Sequence, residues 1–259
     1  MYVEFPFFTK PDEELWRYMD ITKFLSIIDK KALYFSRSDL LGDPFEGSIP
    51  MSIGQKNFND ILKSQFEEMI NRKSTILNEP STFHDFIRKS CYVCSFHTGS
   101  VESAALWSIY SKSKEGVAIK TTFTRLCDCF KDDTTNNVGI GMINYIDYNQ
   151  QTIPVELSTV SPLLYKRKSF EFEKETRAII MEPSEIEGGV SDTGEKYFKI
   201  QISLKNGFYI PINLDVFIER VYIAPSSPPW IKELIESIMQ KYGLQKEVKQ
   251  SILDQSPII

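Results

Sequence analysis

The chain has 259 residues, 42% of them hydrophobic, 13% aromatic and 25% charged, with a formal net charge of −5. That is the composition of a globular protein, either one large domain or two small ones, with a sizeable core, and the negative balance argues against a protein dominated by phosphate-backbone contacts. No apolar run has the length that spans a bilayer, and the first ten residues lack a basic stretch followed by an apolar one, so no membrane partner and a cytoplasmic location with reduced thiols are expected.

In chain order, Leu15–Met19 reads as a short first strand. Asp20 is a good N-cap for a helix carrying Ile21, Phe24, Leu25 and Ile28 at helical spacing. Ala32–Arg37 alternates as a second strand, and Leu41-Gly42-Asp43-Pro44-Phe45-Glu46-Gly47 is a turn-rich loop. Residues about 55–72 and 82–90 read as helices. Cys91–His97 is a strand. A helix over Val101–Lys112 is capped by Ser100 or Thr98. Gly116–Phe123 is a strand followed by a short helix, and Gly139–Tyr148 is another strand. Pro162 to about Phe170 reads as helical, and from Glu175 the chain is mostly β. Lys205-Asn206-Gly207-Phe208 is a two-residue hairpin signal joining Tyr197–Leu204 to Phe208–Ile212. Arg220–Ala224 is a late strand. Trp230–Tyr242 is a helix with Pro229 at its start and Gly243 at its end, and Lys246–Leu253 adds a last strand. With helices concentrated in the N-terminal half and strands in the second, the expected fold is α+β: a single domain over residues 1–259, with a mixed or split β core and a helical insertion at about 50–90.

Four cysteines fall in two pairs, Cys91/Cys94 and Cys127/Cys129. Neither pair has the tight turn of a zinc knuckle, and Cys91 and Cys94 straddle a strand, so buried structural thiols are favoured over a zinc site. The only histidines are His84, in a predicted helix, and His97, at the end of an apolar strand. There is no Gly-rich phosphate loop, nucleophile elbow or His-Glu-x-x-His motif.

The most informative stretch is Lys166-Arg167-Lys168-Ser169-Phe170-Glu171-Phe172-Glu173-Lys174-Glu175-Thr176-Arg177, set directly before the apolar run Ala178–Met181. If the chain is extended from about Glu173, then Glu173, Glu175 and Arg177 project from one face of a strand. Burying such a row is costly unless it is paired. It either faces water or meets something cationic or sugar-like. Arg17-Tyr18, among apolar residues, places a guanidinium where it binds a phosphate or carboxylate, or closes an internal ion pair to Asp43, Glu46 or Glu173. Tyr34 and Ser36 share a strand face, for stacking on a ring or for core packing. Asp43-Pro44-Phe45-Glu46 is a rigid turn carrying two acids.

Taken together, Arg17-Tyr18, Tyr34-Phe35-Ser36, Leu41–Gly47, Glu102-x-x-Ala105-Leu106-Trp107-x-x-Tyr110 with Gly116–Ile119, and Tyr165-Lys166-x-x-x-Phe170-x-x-Glu173-Lys174-Glu175-x-Arg177 resemble the bacterial domain of unknown function family numbered 2971, from about residue 13 to the end. That family name carries no activity. The chain also resembles ADP-ribosyltransferases, which place an Arg or His on a first strand, a Ser or Tyr on a second, and a Glu, often as Glu-x-Glu, on a late strand. Arg17, Tyr34 or Ser36, and Glu173-Lys174-Glu175 occur in that order.

This second resemblance implies an ADP-ribosyltransferase or NAD-cleaving effector, of the kind found in bacterial toxins and anti-phage defence. NAD would be the co-substrate, with no metal. Glu175, Glu173 and Arg177 would be catalytic; Arg17, Tyr18, Tyr34, Ser36 and His97 would bind cofactor; Asp43 and Glu46 are further site candidates. The partners would be a nucleotide or NAD and a protein or nucleic-acid target. The alternatives are a non-enzymatic nucleotide-sensing or protein-interaction module in the same cleft, and a metal-dependent nuclease using Asp43, Glu46, Glu173 and Glu175.

Overall fold

The computed structural model describes residues 2–4, 13–48, 88–111, 115–133, 135–149, 160–182, 186–190, 196–200 and 205–256. The expected insertion at about 50–90 lies outside them apart from residues 88–90, as does His84.

The fold is α+β. Its strands, in chain order, are β1 (Tyr2–Glu4), β2 (Glu14–Asp20), β3 (Ala32–Arg37), β4 (Cys91–Thr98), β5 (Gly116–Thr122), β6 (Val138–Met142), β7 (Asn144–Ile146), β8 (Tyr165–Arg167), β9 (Glu175–Met181), β10 (Ile186–Val190), β11 (Lys196–Ile200), β12 (Gly207–Pro211), β13 (Arg220–Ile223) and β14 (Glu247–Gln250). Among the described residues, one mixed sheet runs β1-β6-β9-β4-β2-β5-β13-β14, with β3 pairing both β4 and β12. β10 pairs β11, and β7 pairs β8, in two separate small sheets.

The main core lies on the sheet face that carries Leu15, Met19, Cys94 and Phe96, and it takes in Val117, Ile119, Ala178 and Ile180. The helix Ile21–Lys30 seals it with Phe24, Ile27 and Ile28; Leu25, expected inward, is only half-buried and Ile27 takes its place. Ten residues are too few to hold a helix alone in water, so this helix depends on that burial. Asp20 caps it by accepting the Lys23 N–H, and Lys31, at φ 47°, closes it. The helix Pro229–Lys241 adds Ile231, Ile235 and Met239. On the opposite sheet face, Trp16, Tyr18, Leu106, Trp107 and Tyr222 form a smaller aromatic cluster. The helix supplying Leu106 and Trp107 spans Ala104–Tyr110 and is capped by Ser103, shorter and later than expected.

One irregularity in the sheet creates the site. β2 pairs β5 along its whole length, from Glu14–Thr122 to Asp20–Gly116, but meets β4 only at Leu15–Thr98 and Trp16–His97. β3 meets the opposite end of β4 at Ser36–Val93 and Arg37–Tyr92. β2 and β3, joined by the helix Ile21–Lys30, thus splay along β4 and leave its Cys94-Ser95-Phe96 segment, among the described residues, without a strand on that side. On its other side the same segment pairs β9, Cys94 with Ala178, Ser95 with Arg177 and Phe96 with Thr176. The expected split core is present at this seam.

Several expectations are corrected. Among the described residues Gly207–Pro211 does not pair with the strand before it; β12 lies antiparallel to β3, and β11 pairs β10. A turn signal specifies a reversal, not the partner that best buries the strand beyond it. The Gly139–Tyr148 strand is two strands, β6 and β7. Pro162–Phe170 is a 3-10 turn (Ser161–Leu164), then β8, then a second 3-10 stretch (Lys168–Glu173). The acidic row is not one strand: Lys174 takes the left-handed conformation at φ 40°, and β9 starts at Glu175. None of the four cysteines is in a disulfide; Cys91, Cys94 and Cys127 are buried and Cys129 is half-buried. Burial pushes the Cys91 and Cys129 thiols up to about 12.

Candidate active site

A cavity of about 820 Å³ opens at the splayed seam, and Arg17, Tyr18, Tyr34, Ser36, Asp43, Glu46, His97, Glu173, Glu175 and Arg177 all line it. Residues read separately from five stretches of sequence therefore converge. Register explains much of this. His97 is paired with Glu175 and Ser95 with Arg177, so these four side chains stand on one face, and Ser36, paired with Val93, shares it.

Arg177 anchors one wall. It is 1% exposed and its guanidinium is saturated: Nε donates to Glu175 Oε1 (2.6 Å), Nη1 to Glu46 Oε2 (2.7 Å) and the Leu163 carbonyl (2.8 Å), Nη2 to Glu46 Oε1 (2.8 Å) and Glu175 Oε2 (3.0 Å). Lys166 adds Nζ contacts to Glu173 (2.5 Å), Glu175 (3.1 Å) and Glu46 (3.4 Å). Outside this cluster, Arg167 holds Asp43 through Nε (3.0 Å) and Nη2 (2.9 Å) and lies over the Phe45 ring. Gly47, at φ 71°, ends the turn where a Cβ would strike Leu163. The acids of the row are paired with the protein's own bases, Glu175 buried and Glu173 half-buried at the cavity.

The electrostatics differ between the two acids. Burial raises the Glu175 carboxyl, but Arg177 and Lys166 outweigh it and hold it down to about 2. Burial lifts Glu173 above its ordinary range against the pull of Lys166. Burial would lower Lys166 and Arg177, yet Glu175 and Glu46 drive both upward, so both stay charged. With three carboxylates (Glu46, Glu173, Glu175) against two bases (Lys166, Arg177), the fully ionised cluster keeps one negative charge.

The other wall is cationic. Arg17 Nη1 donates to the Ser95 carbonyl (2.6 Å), the group left free by the splayed strands, and its guanidinium lies 5.4 Å from the Phe96 ring centroid. Among the described residues no carboxylate is within ion-pair distance of it. The internal ion pair to Asp43, Glu46 or Glu173 does not form, because those acids are taken by Arg167, Arg177 and Lys166.

His97 stands between the walls. Its Nδ1 donates to the Glu173 carbonyl (2.6 Å), since a carbonyl only accepts, leaving Nε2 as acceptor in the neutral ring. Burial lowers its pKa. Tyr18 belongs more to the packing than to the ligand: it is buried in the aromatic cluster and its hydroxyl accepts the Ser103 N–H. Lys166, Ser95, Phe170, Tyr110 and Tyr209 also line the cavity but had no role assigned from sequence. Lys166 had a signal, its place in the basic run before the acids; Tyr209 had none.

No family model matches the chain, leaving the resemblance to the domain of unknown function family on its motifs alone, and no curated protein matches it. Among solved structures, DarT from Thermus sp. 2.9, in complex with ADP-ribosylated ssDNA, is similar over 96% of this chain and 97% of that chain, at 9% identity and a TM-score of 0.39. No helix among the described residues is long and apolar enough to cross a membrane.

Proposed function

We propose that the cleft binds NAD and breaks its nicotinamide–ribose bond, passing the ADP-ribosyl group to water or to an acceptor. The observation that carries this reading is the pairing, across one cavity, of an Arg with no carboxylate partner among the described residues and a carboxylate cluster with one negative charge in excess. Arg17 is suited to the pyrophosphate. As the bond from the ribose carbon to nicotinamide nitrogen breaks, its electron pair leaves with the ring and positive charge develops on the sugar. A fixed, desolvated negative charge stabilises that state without reorganising. Glu175, ionised far below neutral pH, provides the permanent charge. Among the described residues the Glu173 carboxylate pairs with Lys166, and its pKa is shifted upward; it is placed to hold a ribose hydroxyl or to take the proton of the attacking nucleophile. His97, with Nε2 unprotonated, is a second acceptor nearby.

One observation favours the binding-only module. Glu175 accepts two bonds from Arg177 and one from Lys166, and Ser95 bonds to it as well, which fills the acceptor sites of a carboxylate. Such a group suits a structural anchor. For the nuclease alternative, the same crowding means that a cation would have to displace Lys166, Arg167 and Arg177 from the acids; among the described residues no cluster of three or more His, Cys, Asp or Glu is disposed to hold a metal ion. Incubating the purified protein with NAD and measuring free nicotinamide separates the readings. Release supports cleavage; NAD binding without release supports the module.

A further inference from the structure

Tyr209 and Tyr34 are directly opposite each other on β12 and β3, both line the cavity, and their rings are 5.0 Å apart at 60°. A flat ring stacked on one therefore meets the other at its edge. Tyr209 is 40% exposed, and its hydroxyl is fixed by Ser26 Oγ at 2.8 Å. Tyr34 leans away from β4: a Cβ on Gly207 would be 2.4 Å from its Cζ and hydroxyl, so the ring rests on β12 where only glycine leaves room. The two tyrosines make a pre-set aromatic corner that the apolar core does not use.

Its position decides what it binds. β12, β3, β4 and β9 are consecutive neighbours in the sheet, which puts a ring lying on β12 three strand spacings, on the order of 14 Å, from the strand bearing Glu175. In NAD the leaving nicotinamide is bonded directly to the reacting ribose carbon and must sit beside the carboxylates. The second base is separated from that carbon by two riboses and a pyrophosphate. Arg17, resting on Ser95 of β4, lies between the two ends. Resting on the NAD reading above, we infer that Tyr34 and Tyr209 bind the adenine end of the dinucleotide, not its nicotinamide. This leaves the leaving ring to the end of the cleft lined by Phe170, under Lys166, and Tyr110, beside Glu173 and Glu175.

The test is titration calorimetry with two half-ligands, ADP and nicotinamide mononucleotide, on the wild type, Tyr209→Phe and Tyr209→Ala, with folding checked by thermal melt. Base–aromatic stacking sets the scale: Tyr209→Ala should weaken ADP binding by roughly tenfold or more, while Tyr209→Phe and all nicotinamide mononucleotide titrations stay within about twofold of wild type. Equal ADP affinity in wild type and Tyr209→Ala, or a loss confined to nicotinamide mononucleotide, overturns the assignment. Its failure is distinct from that of NAD cleavage. A wild type that releases nicotinamide with a KM unchanged by Tyr209→Ala keeps cleavage and loses the subsite. Tyr209-dependent ADP binding without nicotinamide release keeps the subsite and loses cleavage.

Discussion

Glu46 and Arg177 are 131 residues apart in sequence and meet in two parallel hydrogen bonds of 2.7 and 2.8 Å, with both side chains buried. This fork ties the Leu41–Gly47 loop to β9, and Arg167 ties the same loop to β8 through Asp43. The acidic wall of the cleft is therefore held by paired charges in the protein interior, where leaving one partner alone costs far more than the pair contributes.

The first expected outcome follows directly. Arg177→Met leaves Glu46 and Glu175 buried without their fork, and the loss should be about 3–5 kcal/mol. Urea unfolding measures it. A change below about 1 kcal/mol, the range of an exposed ion pair, would show that water reaches the site and that the wall is not built as described.

Stability should also depend on acid in a defined window. Glu175 ionises near 4.5 when free and at about 2 in the fold. A depressed folded value adds stability that is fully present above the unfolded pKa and is lost as pH falls from about 4.5 to about 2, on the order of 3 kcal/mol in all. Glu173 acts above this window: its raised value adds stability as pH falls from that value to about 4.5. Glu175→Gln should flatten the acid limb of a Tm-against-pH curve; an unchanged limb would contradict the pairing of Glu175 with Arg177 and Lys166.

His97 gives a second, separate window. Burial lowers its pKa below 6.5, so the unfolded chain takes up the proton first and stability declines as pH falls from about 6.5 to the folded value. An imidazole NMR titration should show a neutral ring at pH 7 with the proton on Nδ1. A ring protonated at pH 7 would remove His97 as an acceptor.

These side chains were unequally legible in the sequence. Arg17, Tyr34 and Ser36 were readable because a polar residue inside an apolar alternating strand stands out locally. Glu173, Glu175 and Arg177 were readable as a charge row, but not their conformation, since nothing in Lys174 announces a left-handed residue. The fork between Glu46 and Arg177, and the pairing of β12 with β3, are long-range choices made by burial and register, for which no local pattern exists. Tyr209 was missed for that reason. So was Ser95, whose carbonyl, exposed by two strands that splay, accepts from Arg17 while its side chain bonds to Glu175.

Arg17 should act on ligand and little on the fold. It is half-buried, bonded to the Ser95 carbonyl with the Phe96 ring beneath it. Arg17→Gln should reduce ADP affinity about tenfold or more, the scale of a lost charge-assisted contact, and inorganic pyrophosphate should compete with ADP on the wild type. ADP binding unaffected by the change would assign the phosphate to another group.

The most direct measurement of the central claim is nicotinamide release from NAD by the wild type and by Glu175→Gln and Glu173→Gln, each first shown to be folded by its melting curve. The cleft reading predicts release by the wild type and a fall of about two orders of magnitude or more in at least one variant, the scale of losing a preorganised charge at a transition state. A folded wild type that binds NAD and releases no nicotinamide, or variants that both cleave at the wild-type rate, would contradict it.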